Sequence, residues 1–359
     1  MPKLRALVVD DAVVMRRLVA TVLESDPAIE VAGSAANGRI ALQKLTQVNP
    51  DFVTLDMEMP ELDGLATLRE IRRTHPRLPV IMLSLATRRG AVATLDALAA
   101  GASDYVTKPS DVANLEQSIA LLQHDLLPRI HAHCRIASPA PVPATPGHAA
   151  STRPGAACPH GPAGGAELLV IATSTGGPNA LCKVFSGLTR PVPVPVAIVQ
   201  HMPPLFTETL AHRLDTLSPH LRCKEAAEGD ILQAGHAYLA PGGRHLALER
   251  LPAGDLVCRL LDTPPENSCR PAADVLFRSA AAVAGGHVLA VVMTGMGHDG
   301  LRGCEHIHEA GGSIILQDEA SSIVWGMPGA VAHAGLTRCI LPLGEIAPQI
   351  SRQLTLVPA

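Results

Sequence analysis

Aromatic side chains are scarce in this sequence: one Trp, two Tyr and four Phe amount to 2% of 359 residues. Base-stacking platforms are built from such rings, so nucleic acid is a poor match as a partner. An excess of positive charge is missing as well. The 29 Lys and Arg stand against 33 Asp and Glu, a formal net charge of −4, which removes the electrostatic case for nucleic-acid binding. No apolar run reaches the roughly 18–20 residues that a spanning helix needs, so membrane insertion is not expected. The first eleven residues already contain Asp10 and Asp11 and lack the apolar core of a signal peptide. Closely spaced cysteines are absent too. The closest two of the eight, Cys258 and Cys269, are eleven residues apart, so no C-x-x-C metal or redox pair exists. The expectation is a cytoplasmic monomer whose cysteines are small reduced thiols.

What is present points to two folded domains. Hydrophobic residues make up 47% of the chain and charged residues 17%, enough for a core in each half. Seven of the thirty residues 137–166 are proline and bulky apolar residues are nearly missing there, which reads as a semi-extended linker. The expected organisation is a domain over 1–125, a Pro/Gly/Ala-rich linker over 126–165 and a second domain over 166–359.

The first block alternates candidate strands, Leu4–Val9, Ile29–Ala35, Asp51–Leu55, Pro79–Leu83 and Ser103–Val106, with helical patterns around 13–24, 38–47, 64–74, 88–99 and 111–127. Five alternations predict an α/β, doubly wound, five-stranded parallel sheet whose ligands sit at the carboxyl ends of the strands. The second block has short, wholly apolar runs at Leu168–Ala172, Val196–Val199 and Val288–Met293, as buried parallel strands do. Helical stretches lie near 178–187, 206–217, 271–284 and 300–310. Tighter alternation over 236–261, with Pro-Gly-Gly at 241–243, predicts an antiparallel hairpin at one edge of a mostly parallel sheet.

Asp10 and Asp11 end the first strand and Asp56 closes the third. Those strand ends are neighbours in such a sheet, so three carboxylates converge, an arrangement that a hard cation such as Mg²⁺ relieves. One carboxylate can then attack a phosphoryl group. Ser84, after the fourth strand, can hydrogen-bond a phosphoryl oxygen, and Lys108, after the fifth, can pair with its charge.

These residues carry a resemblance. Leu7-Val-Val-Asp-Asp11, Asp51-Phe-Val-Thr-Leu-Asp-Met-Glu-Met-Pro60 with Asp63-Gly64, and Gly101-Ala-Ser-Asp-Tyr-Val-Thr-Lys-Pro109 closely resemble response-regulator receiver domains over about residues 3–125. The resemblance implies a flavodoxin-like fold with Asp56 as phosphoacceptor, Asp10 and Asp11 as the acidic pocket, Ser84 as the hydroxyl, Lys108 as the phosphate-pairing lysine and Tyr105 as the aromatic switch. It also implies Mg²⁺ ligation by Asp11, Asp56 and the backbone carbonyl of Glu58, and phosphotransfer from a histidine kinase. Leu85 departs from the family, where a second Ser or Thr is common. Phosphorylation at Asp56 would draw Ser84 and Lys108 toward it and alter what the 84–108 face contacts.

In the second block, Ile171-Ala-Thr-Ser-Thr-Gly-Gly-Pro178 puts Ser174 on a sharp turn between strand and helix. Gly176 and Gly177 permit close backbone approach, and a helix N-terminus offers free N–H groups. It is not the usual nucleophile elbow, because Ala172 stands where Gly-x-Ser-x-Gly has its first glycine. Nor is it a Walker motif, since no Gly-Lys-Ser/Thr follows. His201 lies just beyond the second apolar run. Asp299 sits in the glycine-rich turn Met293-Thr-Gly-Met-Gly-His-Asp-Gly300 after the third. Three strands thus bring Ser, His and Asp to one edge in an order unlike that of α/β-hydrolases, and triads are recognised by geometry, not order. The backbone N–H groups of Thr175 and Met296 are oxyanion candidates. A metal site at His298, His306 and His308 is disfavoured: no H-E-x-x-H occurs, and Glu305 and Glu309 are spaced as helix-surface charges.

Thr173-Ser-Thr-Gly-Gly177, Gln200-His-Met-Pro-Pro204, Tyr238-Leu-Ala-Pro-Gly242, Arg270-Pro-Ala-Ala-Asp-Val-Leu-Phe277, Met293–Gly300 and Gln317–Pro328 closely resemble the CheB-type methylesterase domain of chemotaxis response regulators, over about residues 166–350. His298 departs from the Asn or Arg frequent there. The resemblance implies a triad of Ser174, His201 and Asp299 that hydrolyses glutamate γ-methyl esters on chemoreceptor helices, releasing methanol, and also deamidates specific glutamines. It implies no cofactor for ester hydrolysis, a CheA-like kinase as phosphodonor, and a receiver that restrains the esterase until phosphorylated. The competing class, a receiver driving a non-enzymatic binding output, lacks a basic recognition helix here. A further alternative keeps the esterase but serves a receptor outside chemotaxis.

Overall fold

The computed structural model describes residues 3–109, 115–134, 158, 162 and 165–354. Most of the expected linker, 126–165, therefore lies outside the described residues. The chain separates into two compact units, Met1–Ala144 and Thr145–Ala359.

The first unit alternates β1 (Leu4–Val9), α1 (Val13–Glu24), β2 (Ile29–Ala35), α2 (Gly38–Val48), β3 (Phe52–Asp56), α3 (Gly64–Thr74), β4 (Val80–Ser84), α4 (Arg88–Ala99), β5 (Asp104–Thr107) and α5 (Leu115–His133). The strands pair in parallel in the order β2-β1-β3-β4-β5. β3 and β4 are buried along their whole length, as apolar strands covered by helices on both faces must be. Side-chain caps set three helix starts. Asn37 accepts from the Ile40 N–H at 2.9 Å, Asp63 from the Ala66 N–H at 2.7 Å, and Thr87 from the Gly90 N–H at 3.0 Å. The order of chain travel reverses between β1 and β3, and a crevice opens at the carboxyl ends of such neighbours.

α5 runs on to His133, past the boundary expected at 125. Leu126 and Ile130 are buried with Val8, Leu18, Val22 and Phe52 in the core of the first unit. Each such side chain contributes about 1.5–3 kcal/mol when fully buried, enough to carry the helix through Pro128.

The second unit opens with β6 (Leu168–Thr173), α6 (Gly177–Gly187), β7 (Val196–Gln200), α7 (Phe206–Leu217), β8 (Arg222–Glu225) and β9 (His236–Leu239). A hairpin, β10 (His245–Arg250) and β11 (Leu256–Leu261), leads to α8 (Ala273–Ala284), β12 (Val288–Val292), α9 (Leu301–Glu309), β13 (Ser313–Gln317), α10 (Met327–His333), β14 (Ile340–Leu341) and α11 (Leu343–Leu354). Seven strands form one parallel sheet in the order β14-β13-β12-β6-β7-β9-β8. β6 lies near its centre with β7 on one side and β12 on the other, so travel reverses at β6 and the crevice opens there.

The hairpin differs from its expected form. β9 joins the large sheet in parallel, and Pro241-Gly-Gly243 is not the hairpin turn. The antiparallel pair starts at His245, pairs His245 with Leu261, and turns at 251–255. The thiols differ as well. Cys158 and Cys339, 181 residues apart in sequence, are joined by a disulfide, against the expectation of reduced cysteines throughout. Among the described residues no helix is long and apolar enough to cross a membrane.

Candidate active site and phosphoacceptor pocket

The loop after β1 is fixed by Arg16, whose guanidinium donates to the carbonyls of Asp10 at 2.7 Å and Asp11 at 2.8 Å. Asp10 is fully buried, Asp11 is exposed, and Asp56 at the end of β3 is buried. Lys108 Nζ lies 2.8 Å from Asp10 Oδ2 and 2.7 Å from Asp56 Oδ1. Burial pushes the Asp56 carboxyl up to about 6, against the opposing pull of the Lys108 ammonium. Lys108 is also shifted upward: its two carboxylate partners outweigh the burial that disfavours its charge. Carboxylate oxygens of Asp10, Asp11 and Asp56 come within 4.8 Å of one another, a set of hard donors that fits Mg²⁺. The Glu58 N–H points at Asp56 Oδ1, 3.4 Å away. The Ser84 hydroxyl is turned toward the Gly90 carbonyl at 3.2 Å, and Tyr105 is buried on β5. The structure thus joins Asp10, Asp56 and Lys108 directly, while Ser84 makes its bond elsewhere.

The other rim is built around Ser174. Register pairs Thr173 with Gln200 across β6 and β7, and the His201 N–H donates to the Thr173 carbonyl at 3.2 Å. Buried Gln200 clasps the two loops. Its amide nitrogen donates to the carbonyls of Ser174 at 3.0 Å and His201 at 3.2 Å, and its oxygen accepts from Thr173 Oγ1 at 2.5 Å. The chain then turns through Gly176 at φ +77° into α6. A Cβ on Gly177 would stand 2.0 Å from Gln200 Oε1, so only glycine admits this approach.

On the far side of β6, the Ser174 N–H donates to the Thr294 carbonyl at 3.0 Å. A Cβ on Gly295 would lie 2.8 Å from Ser174 Cβ, which brings the 294–297 turn flush against Ser174. Thr294 Oγ1 donates to the Thr175 carbonyl and accepts the N–H groups of Ile323 and Val324, so one hydroxyl organises three loops. Among the described residues, the Thr175 and Met296 N–H groups have no hydrogen-bond acceptor.

Asp299 is buried beneath this rim and its carboxylate is surrounded by donors. Oδ1 accepts from Asn267 Nδ2 at 2.8 Å, the Asp274 N–H at 3.1 Å and the Gly300 N–H at 3.0 Å. Oδ2 accepts from the Ala273 N–H at 2.6 Å and faces His201 Nε2 at 2.8 Å. Ala273 and Asp274 begin α8, whose N-terminal dipole favours an anion here. Burial alone would raise the Asp299 carboxyl, but the hydrogen bond and charge of His201 and the Ala273 and Asn267 donors hold it below its ordinary value. Burial opposes protonation of His201, yet the bond to Asp299 and the Cys269 thiol beside it push the imidazole up to about 10.

With Nε2 committed to Asp299, the lone pair available for proton abstraction is on Nδ1. Cys269 Sγ lies 3.5 Å from that nitrogen, and no hydrogen bond joins the Ser174 hydroxyl to it among the described residues. His201 and Asp299 are therefore joined directly, and Ser174 shares their rim through Gln200.

Three groups at this rim escaped the sequence reading: Asn267, Asp274 and Cys269. Asn267 bridges Asp274 and Asp299, and Asp274 accepts the Gly303 N–H at 2.7 Å. Asp274 and Cys269 flank or lie within the Arg270–Phe277 motif, which was the available signal. A cavity of about 740 Å³ between Glu167, Val194, Pro195 and Ile350 lies at the amino ends of β6 and β7, away from this chemistry.

A CheB methylesterase family model matches residues 169–350, and a response regulator receiver domain model matches residues 6–120. A protein-glutamate methylesterase/protein-glutamine glutaminase of Nocardioides sp. is 52% identical, covering 100% of this chain and 99% of its own length. One of the same name from Trichodesmium erythraeum is 46% identical over 99% and 100%. The crystal structure of the Thermotoga maritima CheB methylesterase catalytic domain is 37% identical with a TM-score of 0.50, covering 52% of this chain and 97% of that one.

Proposed function

The chain belongs to the CheB methylesterase family, with a response regulator receiver domain ahead of the esterase, and from that premise we propose a division of labour among its residues. Residues 1–125 together with the rest of α5 to His133 are the receiver, the linker follows as far as 165, and 166–359 is the esterase. The esterase hydrolyses glutamate γ-methyl esters of a receptor and deamidates glutamines, and phosphorylation of the receiver activates it. Chemoreceptor helices are its substrate, a CheA-like histidine kinase its phosphodonor and the cytoplasm its location; it works as a monomer.

The observation that carries the reading is the His201–Asp299 pair, its carboxylate buried and its imidazole reaching the surface, at the switch point of the sheet, one loop from Ser174. His201 Nδ1 takes the Ser174 proton as Oγ attacks the ester carbonyl. Asp299 holds the proton on Nε2 and stabilises the imidazolium that forms. The Thr175 and Met296 N–H groups receive the developing oxyanion, in a turn already held against Ser174 by Thr294. The imidazolium then protonates the departing methoxide, methanol leaves, and water returns by the same route to free the glutamate. An amide enters the same path with ammonia as leaving group. No cofactor is required for these steps.

In the receiver, Asp56 is the nucleophile toward the phosphodonor. Its burial and raised carboxyl give the ionised form a reason to accept a cation or a phosphoryl group. Mg²⁺, held by Asp11, Asp56 and the Glu58 carbonyl, supplies charge neutralisation for phosphoryl transfer when bound. Lys108 pairs with the transferred phosphoryl charge, Ser84 leaves Gly90 to bond a phosphoryl oxygen, and Tyr105 responds on β5. The test is methanol release from a methylated receptor with and without acetyl phosphate. Stimulation in the parent and none in Asp56→Asn supports the reading. Equal stimulation of both proteins contradicts it.

A further inference from the structure

His201 has two neighbours, not one. Asp299 holds Nε2, and on the opposite side of the ring Cys269 Sγ lies 3.5 Å from Nδ1. A zinc ion bound to both atoms, with Zn–S of about 2.3 Å, Zn–N of about 2.0–2.1 Å and a tetrahedral angle, needs them about 3.5 Å apart. The observed spacing is that span. His201 and Cys269 are partly exposed, so an ion in solvent can reach them. The carboxylate behind the imidazole completes a carboxylate–histidine–metal arrangement, which fixes the tautomer with Nδ1 unprotonated and makes that nitrogen a better donor. Cys269 Sγ, a His201 ring nitrogen and an Asp299 oxygen all lie within 4.8 Å of one another, whereas His298, His306 and His308 form no such group among the described residues. In the hydrolytic steps above the thiol makes and breaks no bond, so acting on the His201 proton affinity is its whole part there.

We propose that Cys269 and His201 form an inhibitory binding site for a soft divalent cation of the Zn²⁺ type, with Asp299 supporting it through the imidazole. Binding forms a Zn–S and a Zn–N bond. The thiol proton passes to water, and water fills the remaining positions on the ion. The lone pair that would take the Ser174 proton is then occupied, so hydrolysis stops while the fold is unchanged. The inhibition rests on His201 being the base; the binding does not.

The experiment uses the full chain with Co²⁺ and Zn²⁺ as probes. Cobalt reports a bound thiolate by a near-ultraviolet charge-transfer band that carboxylate sites such as Asp10, Asp11 and Asp56 do not give. Zinc is titrated against methanol release from a methylated receptor, each variant being referred to its own zinc-free rate. The proposal expects the band, reversal of inhibition by a chelator, and loss of the band in both Cys269→Ser and Cys269→Ala. It also expects the zinc concentration for half-inhibition to rise by about tenfold or more in those variants, the scale on which lost metal partners act. Cys134→Ser, which removes another half-buried thiol, should keep both signals. A band that survives Cys269→Ser, or zinc sensitivity equal to the parent, overturns the proposal. A Cys269-dependent band without inhibition refutes His201 as the base and leaves the metal site standing.

Discussion

Replacing Asp299 by Asn changes one charge and one hydrogen-bond direction, and the structure says which way the amide must turn. With its NH₂ at the Oδ1 position, the side chain would confront three donors: Asn267 Nδ2 and the N–H groups of Asp274 and Gly300. With NH₂ at Oδ2 it confronts the Ala273 N–H and His201 Nε2. The second orientation leaves fewer donors opposed, and its conflict at His201 is relieved by moving the imidazole proton from Nε2 to Nδ1. That tautomer presents an N–H to Ser174 in place of a lone pair. The expected loss in kcat is on the order of 10⁴, the size seen when the carboxylate of a serine triad becomes an amide. The remaining opposed N–H of Ala273 costs about 1–3 kcal/mol of stability. Methanol release from a methylated receptor gives the rate, and thermal unfolding gives the stability. A fall in kcat of less than about tenfold in a folded Asp299→Asn protein would refute the tautomer argument.

Two further outcomes follow from the same geometry. Since His201 is pushed up to about 10 and only the neutral imidazole accepts a proton, kcat/KM should climb with pH well above the ordinary histidine value of about 6.5. In Cys269→Ser that limb should move to lower pH, and a limb fixed near the ordinary value in both proteins would contradict the assignment. Gly177→Ala should drive a methyl into Gln200 Oε1 and loosen the clasp on Ser174 and His201. A displacement of that scale costs about 10²-fold in kcat, to be measured against an unchanged circular dichroism spectrum.

Much of this architecture is written in local patterns. β1 and β2 begin and end where the sequence pattern places them, and the alternation of strand and helix orders both sheets. Ser174, His201 and Asp299 could be singled out because each follows a short apolar run. Where contacts are non-local, legibility ends. Over 236–261 the alternation reported a strand pair, but whether His236–Leu239 pairs with β7 or with the hairpin depends on the sheet edge, which spacing does not encode. β13, β14, α10 and α11 were not anticipated either. They complete a sheet whose far edge is decided by packing on β12. Asn267 and Cys269 lie in a loop with no periodicity, Asn267 at φ +52°, and acquire meaning only when that loop is laid against Asp299 and His201. The continuation of α5 follows from Leu126 and Ile130 finding the core, which composition past residue 125 does not announce.

The central claim is that the Ser174 hydroxyl attacks the ester while His201 and Asp299 move and stabilise the proton. Methanol release from a methylated receptor by the full chain, compared with Ser174→Ala at equal concentration, tests it most directly. A fall on the order of 10⁴ or more, with the fold retained, is the predicted result; a variant within about tenfold of the parent would contradict it.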